Sequence, residues 1–84
     1  MALLASCSSL YYVSPDAYFA FKSASDKSKT EYQALHGNVA AAKRLAMYYE
    51  FVEDDKRTAI YWYRVAASYG DKIAKDTVSK LTKP

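Results

Sequence analysis

The sequence predicts an all-α domain built of antiparallel helix hairpins, and three observations predict it. Apolar residues recur at helical spacing in successive segments, while no stretch shows strand alternation. Within those segments small and large side chains alternate: Ala42 and Ala46 sit beside Leu45 and Tyr49, and Ala59, Ala66 and Ala67 beside Trp62 and Tyr63. Two helices approach closely only where a ring on one meets an alanine on the other, so this spacing predicts helix-on-helix packing. The two glycines, Gly37 and Gly70, each close a helical segment and are separated by the length of one helix hairpin. A period of about 33 residues is the sign of an α-solenoid, here with one and a half hairpin repeats and capping helices at its ends.

The elements follow in order. Ser14 is a good N-cap, Pro15 suits the first helical position and Asp16 favours the positive helix end, so a helix is expected from Pro15 toward Leu35. Its middle, SASDKSKTE, is polar. Ser28 to Glu31 has capping-box spacing, which predicts a break and restart there. Gly37 ends the helix as a left-handed C-terminal residue would. A second helix, about Asn38 to Glu50, carries Ala42, Leu45, Ala46 and Tyr49 on one face. EFVEDDK is read as a loop, and Asp54 or Asp55 as the cap of the third helix. That helix carries Ala59, Trp62, Tyr63, Ala66 and Ala67 on one face and stops at Gly70. Asp71 starts a last helix whose apolar positions are Ile73, Ala74, Val78 and Leu81.

Composition bounds the function. A chain of 84 residues is one small domain with a thin core, to which large rings add much buried area. The 12 basic and 9 acidic residues leave a net charge of +3 and are interspersed, which speaks against nucleic acid as a partner. The late lysines Lys72, Lys75, Lys80 and Lys83 suit the end of a helix dipole. One Cys excludes an internal disulfide. No His, Cys and carboxylate set has metal-ligand spacing, and no glycine-rich phosphate loop exists. Neither a metal nor a cofactor is expected.

From Met1 to Pro15 no side chain is charged, and every charged side chain lies from Asp16 onward. This start contains Leu4-Ala5-Ser6-Cys7, which resembles the bacterial lipobox, where small residues precede a Cys that becomes lipidated. The resemblance implies a lipid anchor at Cys7, and Ser8 after it implies the outer membrane. The alternative is a free Cys in an apolar start. Residues 1–13 are thus read as a signal remnant and tether, and 14–84 as the helical domain. The apolar run is too short to span a bilayer.

The segments GNVAAAKRLAMYY and DKRTAIYWYRVAASYGDKIA resemble a Sel1-like repeat over residues 37–74, about half the chain. Gly37, Ala41, Leu45, Ala46 and Tyr49 occupy its first segment; Asp55, Ala59, Trp62, Tyr63, Ala66, Ala67, Gly70 and Ala74 occupy its second. The loop departs from the family, being shorter and carrying Val52 and Glu53 where glycines are expected. Upstream, Lys29 stands where the repeat has Trp. Tetratricopeptide repeats have a similar period but place their aromatic elsewhere.

The resemblance implies a binding scaffold rather than an enzyme. It points to an envelope-anchored module docking a periplasmic protein, including immunity proteins that neutralise secreted phospholipase-like toxins, or to an assembly adaptor of an envelope complex. Arg44, Tyr48, Phe51 and Tyr61 fall off the predicted inner faces and are the candidate partner contacts, since Tyr and Arg carry much interface energy. Taken singly, Tyr48 and Tyr61 are read first as contacts with neighbouring helices, and the acidic loop at Glu50, Glu53, Asp54 and Asp55 as a solvated helix entry, its alternative being a surface for a basic partner. His36, at a helix end, is read as satisfying carbonyls, with no base or nucleophile around it.

Overall fold

A computed structural model of the chain describes residues 20–83. Within them the fold is all-helical. Four α-helices follow one another: α1 (Ala24–Leu35), α2 (Val39–Met47), α3 (Lys56–Ser68) and α4 (Lys72–Thr82), with a π-helical turn, Tyr48–Val52, prolonging α2. Each helix packs on the next, and α1 also touches α3. The arrangement is one of helix hairpins, with no strand among the described residues.

Local chemistry sets the helix starts. Ser23, Asn38, Asp55 and Asp71 each occupy an N-cap and accept a backbone N–H three residues on, from Asp26, Ala41, Thr58 and Ala74. The first helix thus begins at Ala24. Residues 20–23 are not helical, so a helix running unbroken from Pro15 is corrected; Ser14, Pro15 and Asp16 lie outside the described residues. Nor does the helix break at Ser28. Residues 28–31 lie within α1, and Thr30, buried there, donates its hydroxyl to the Asp26 carbonyl one turn back. Capping-box spacing caps only where the backbone ladder is already open, and here Ser23 has opened it three residues before Asp26.

The two glycine corners are built alike. Gly37 has φ +98° and Gly70 φ +97°, the left-handed region open to a residue without Cβ. At the first corner the N–H groups of His36 and Asn38 both donate to the Gln33 carbonyl. At the second, one repeat later, those of Tyr69 and Asp71 donate to the Ala66 carbonyl. Between the corners, the Tyr69 hydroxyl donates to the Ala34 carbonyl at 2.7 Å, satisfying an acceptor that the end of α1 leaves open. Lys43 on α2 pairs with Asp71 at 3.4 Å.

The core is small and of the expected kind. Ala34, Ala41, Ala42, Leu45, Ala46, Ala59, Trp62, Tyr63, Ala66 and Ala74 are buried, and Tyr49, Ala67, Val78 and Leu81 pack half-buried against them. Trp62 is only 5% exposed. The indole shares its core with alanines, so it fills volume between helices. One apolar position differs from expectation: Ile73 is 67% exposed, and α4 turns Ala74, Val78 and Leu81 inward instead. Ile73 directly follows Lys72 at the helix start, about 100° round the helix from Ala74, and so falls outside that stripe.

With Gly37 laid on Gly70, the outer helices differ from the inner ones. Ala41, Leu45 and Tyr48 of the second helical segment correspond to Ala74, Val78 and Leu81 of α4. But Ala42, Ala46 and Tyr49 correspond to the exposed Lys75, Ser79 and Thr82. Likewise the buried Ala59, Trp62 and Ala66 of α3 correspond to Asp26, Lys29 and Gln33 of α1, none of them buried. α2 packs on both α1 and α3, and α3 on both α2 and α4, so each needs two apolar faces. Among the described residues α4 packs chiefly on α3 and needs one.

A groove between the first helix and the π turn

The candidate surface forms where α1 begins and α2 ends. α2 does not run on to Glu50 in α form. From Tyr48 its hydrogen bonds lengthen: the Glu53 N–H donates to the Tyr48 carbonyl, five residues back. The expected loop is thereby reduced to residues 53–55, which carry the turn into α3. Its left-handed residue is Asp54, at φ +52°, rather than Val52 or Glu53. Asp is among the non-glycine residues that tolerate that conformation. Asp55, not Asp54, is the cap; hydrogen bonds from the Thr58 hydroxyl and N–H hold its carboxyl below the usual range.

The π turn leaves Tyr48 and Tyr49 side by side, ring centroids 5.1 Å apart and nearly perpendicular. Both rings receive one cation. The Lys27 ammonium, from α1, lies 5.1 Å from the Tyr48 centroid and 4.8 Å from the Tyr49 centroid. A hydrogen bond with Tyr49 raises the Lys27 pKa most; partial burial opposes it, and the Tyr rings and Glu31 add to the rise. The Phe21 ring meets the Tyr48 ring edge-on at 5.0 Å. On Phe21 rests a second cation, the Arg44 guanidinium, 4.4 Å from its centroid and 3.9 Å from the Asp26 carboxylate. The Tyr48 hydroxyl donates to Glu53 at 2.6 Å; this bond, with some burial, pushes its pKa up. Phe21, Ser23, Ala24, Lys27, Tyr48 and Val52 line an open pocket of about 350 Å³.

Of the four partner contacts expected from sequence, the fold joins Arg44 and Tyr48, through Phe21. Phe51 belongs to the same π turn as Tyr48 and is 51% exposed. Tyr61 is 52% exposed on α3, and its described ring contact is with Trp62, edge-on at 5.0 Å. Phe21 and Lys27 were not legible as site residues. Phe21 sits in an aromatic run that reads as helix, and Lys27 in a polar run that reads as solvated surface. The one available signal was register: Lys27 stands one repeat before Ile60, a half-buried position on α3.

The remaining candidates have structural settings or lie elsewhere. His36 Nδ1 donates to the Tyr32 carbonyl at 2.7 Å, and its ring stacks on Tyr32 at 3.9 Å. The Tyr63 hydroxyl donates to Glu50 at 2.8 Å, tying α3 to the π turn; burial first, then this bond, holds its pKa well above the tyrosine range. No group of His, Cys, Asp and Glu suited to a metal occurs among the described residues, and none of their helices is long and apolar enough to cross a membrane. Cys7 lies outside the described residues. No family model matches the chain, and no curated protein or solved structure is significantly similar to it.

Proposed function

We propose that this chain is a protein-interaction module: a short stack of helix hairpins, of the Sel1-like kind its sequence resembles, that docks another protein and catalyses nothing. The observation that carries the reading is the recurrence of one corner, a hairpin's length apart. A left-handed glycine, the same pair of hydrogen bonds and an equivalent capping side chain appear at Gly37 and at Gly70. Trp62 and its alanine neighbours act as packing between helices, which leaves recognition to the surface. There the groove of Phe21, Lys27, Arg44 and Tyr48 offers rings and cations together, the composition of interface hot spots.

The proposal extends to place and role. A lipid on Cys7 would hold the module at the outer membrane by burial of its methylenes, facing a periplasmic partner. The specific role we propose is immunity, in which the module neutralises a phospholipase-like toxin secreted by neighbouring bacteria. An adjacent secreted lipase gene would favour that role over an assembly adaptor.

Two experiments test the reading. The full chain serves as bait beside its Arg44→Ala/Tyr48→Ala variant, after circular dichroism has shown equal folding. A partner held by the unaltered chain and lost by the variant is expected. Equal retention by both removes the groove from docking, and retention of nothing specific by either removes the module. Labelling with a palmitate analogue is expected in the unaltered chain and not in Cys7→Ser; equal labelling discards the anchor.

A further inference from the structure

The pocket beside Lys27 has a chemistry that narrows its occupant. Its walls are the apolar surfaces of Phe21, Ala24, Tyr48 and Val52, with two polar groups, Lys27 and Ser23. Among the described residues Lys27 makes no ion pair; its ammonium, placed over two rings, spends one of three donors on Tyr49 and keeps the others. The Ser23 hydroxyl oxygen accepts from the Asp26 N–H and keeps its own proton to donate. Two carboxylates of these elements are engaged elsewhere, Asp26 by Arg44 and Glu53 by Tyr48, while Glu31, one turn on from Lys27, adds a negative charge on the side of α1. The pocket therefore presents unspent donors and one positive charge beside an apolar wall. Its volume, about 350 Å³, is at the low end for ligand sites and fits one side chain with its backbone end.

We infer that this pocket takes the C-terminal residue of a partner polypeptide, an apolar side chain lying against Phe21 and Tyr48 and the terminal carboxylate meeting Lys27 and Ser23. A chain end bears both groups on one Cα, so a single residue satisfies donors and wall together. An internal acidic side chain needs a second residue for the wall. The inference deepens the docking reading and rests on it for the partner, though not for the pocket's own chemistry.

The test uses the full, isotope-labelled chain and two small probes, N-acetyl-phenylalanine with its free carboxylate and N-acetyl-phenylalanine amide, titrated by NMR. The carboxylate is expected to move the resonances of Phe21, Lys27, Tyr48 and Val52 and to bind about tenfold more tightly than the amide. Lys27→Gln is expected to abolish that preference and Lys27→Arg to keep it. Equal binding of the two probes overturns the inference on the unaltered chain, without recourse to a variant. So do shifts confined to other helices, binding of neither probe, or a preference untouched by Lys27→Gln. Probe binding with no captured protein would sink the interaction module while the pocket stood. A captured partner indifferent to Lys27→Gln would sink the pocket while the module stood.

Discussion

Replacing Trp62 with Ala tests whether the indole holds the hairpins together. The side chain is 5% exposed and sits among Ala41, Ala42, Ala46, Ala59 and Ala66 of the core. A buried Trp removes about 200–250 Å² from water. At about 25 cal/mol per Å² that is about 5–6 kcal/mol as an upper value, and measured Trp→Ala truncations run about 3–5 kcal/mol. Total stability, at about 0.05–0.15 kcal/mol per residue over 84 residues, is about 4–13 kcal/mol. The truncation therefore removes a large part of it, and at the lower end unfolds the domain. The neighbouring Tyr61 is the internal control. It is 52% exposed and touches Trp62 only by an edge, so Tyr61→Ala should cost about 1 kcal/mol. Urea unfolding followed by far-UV circular dichroism compares the two, since fluorescence disappears with the indole. Equal costs would refute the assignment of Trp62 as packing between helices.

Three further outcomes follow from the same geometry. Gly37→Ala and Gly70→Ala should each cost about 1–2 kcal/mol, and by similar amounts, because an added Cβ meets nothing within 4 Å at either corner and only the left-handed backbone is penalised; urea midpoints check this, and clearly unequal losses would contradict the likeness of the corners. The raised pKa of Tyr63 means that the fold favours the neutral phenol, so its contribution is present below the unfolded value of about 10 and lost as pH climbs above it; melting temperatures between pH 8 and 11 should fall less steeply for Tyr63→Phe, and parallel falls would refute the linkage. The triple change Lys75→Ala, Ser79→Ala and Thr82→Tyr gives α4 the second apolar face of α2 and should strengthen self-association in analytical ultracentrifugation, whereas unchanged sedimentation would refute the one-faced reading of α4.

Where local chemistry decides a structure alone, the sequence shows it. Asp55, one of two candidate caps, and Asp71 open helices in fact as in pattern, Gly37 and Gly70 end helices, and Trp62 lies among alanines because ring and small residue recur at helical spacing. Where two local signals compete, it does not. The spacing of Ser28 and Glu31 is a valid capping box, yet Ser23 caps first and the later signal is absorbed into the helix. The π turn has no signature in YYEFV, and it redirected every residue from Tyr48 to Val52. The groove was hardest to foresee because its cation comes from α1 and its rings from the end of α2, joined only by tertiary packing. Helical spacing sets Arg44 and Tyr48 off the inner face of α2; their common neighbour Phe21, and the placing of Lys27 over Tyr48 and Tyr49, it does not show.

The groove and the unlike outer helices have one physical origin. α2 serves two neighbours, and a regular helix of nine residues presents each with only about two and a half turns. Widening its last turn to π form carries the chain five residues further while setting Tyr48 toward Phe21 and Tyr49 into the half-buried rim of the core. α4, packed chiefly on α3 among the described residues, has no such demand. At the equivalent positions it carries Leu81 and Thr82 and remains α-helical to Thr82. Among the described residues the aromatic clasp therefore occurs at the junction that must satisfy two helices, and the surplus ring surface it exposes there is the surface proposed to meet a partner.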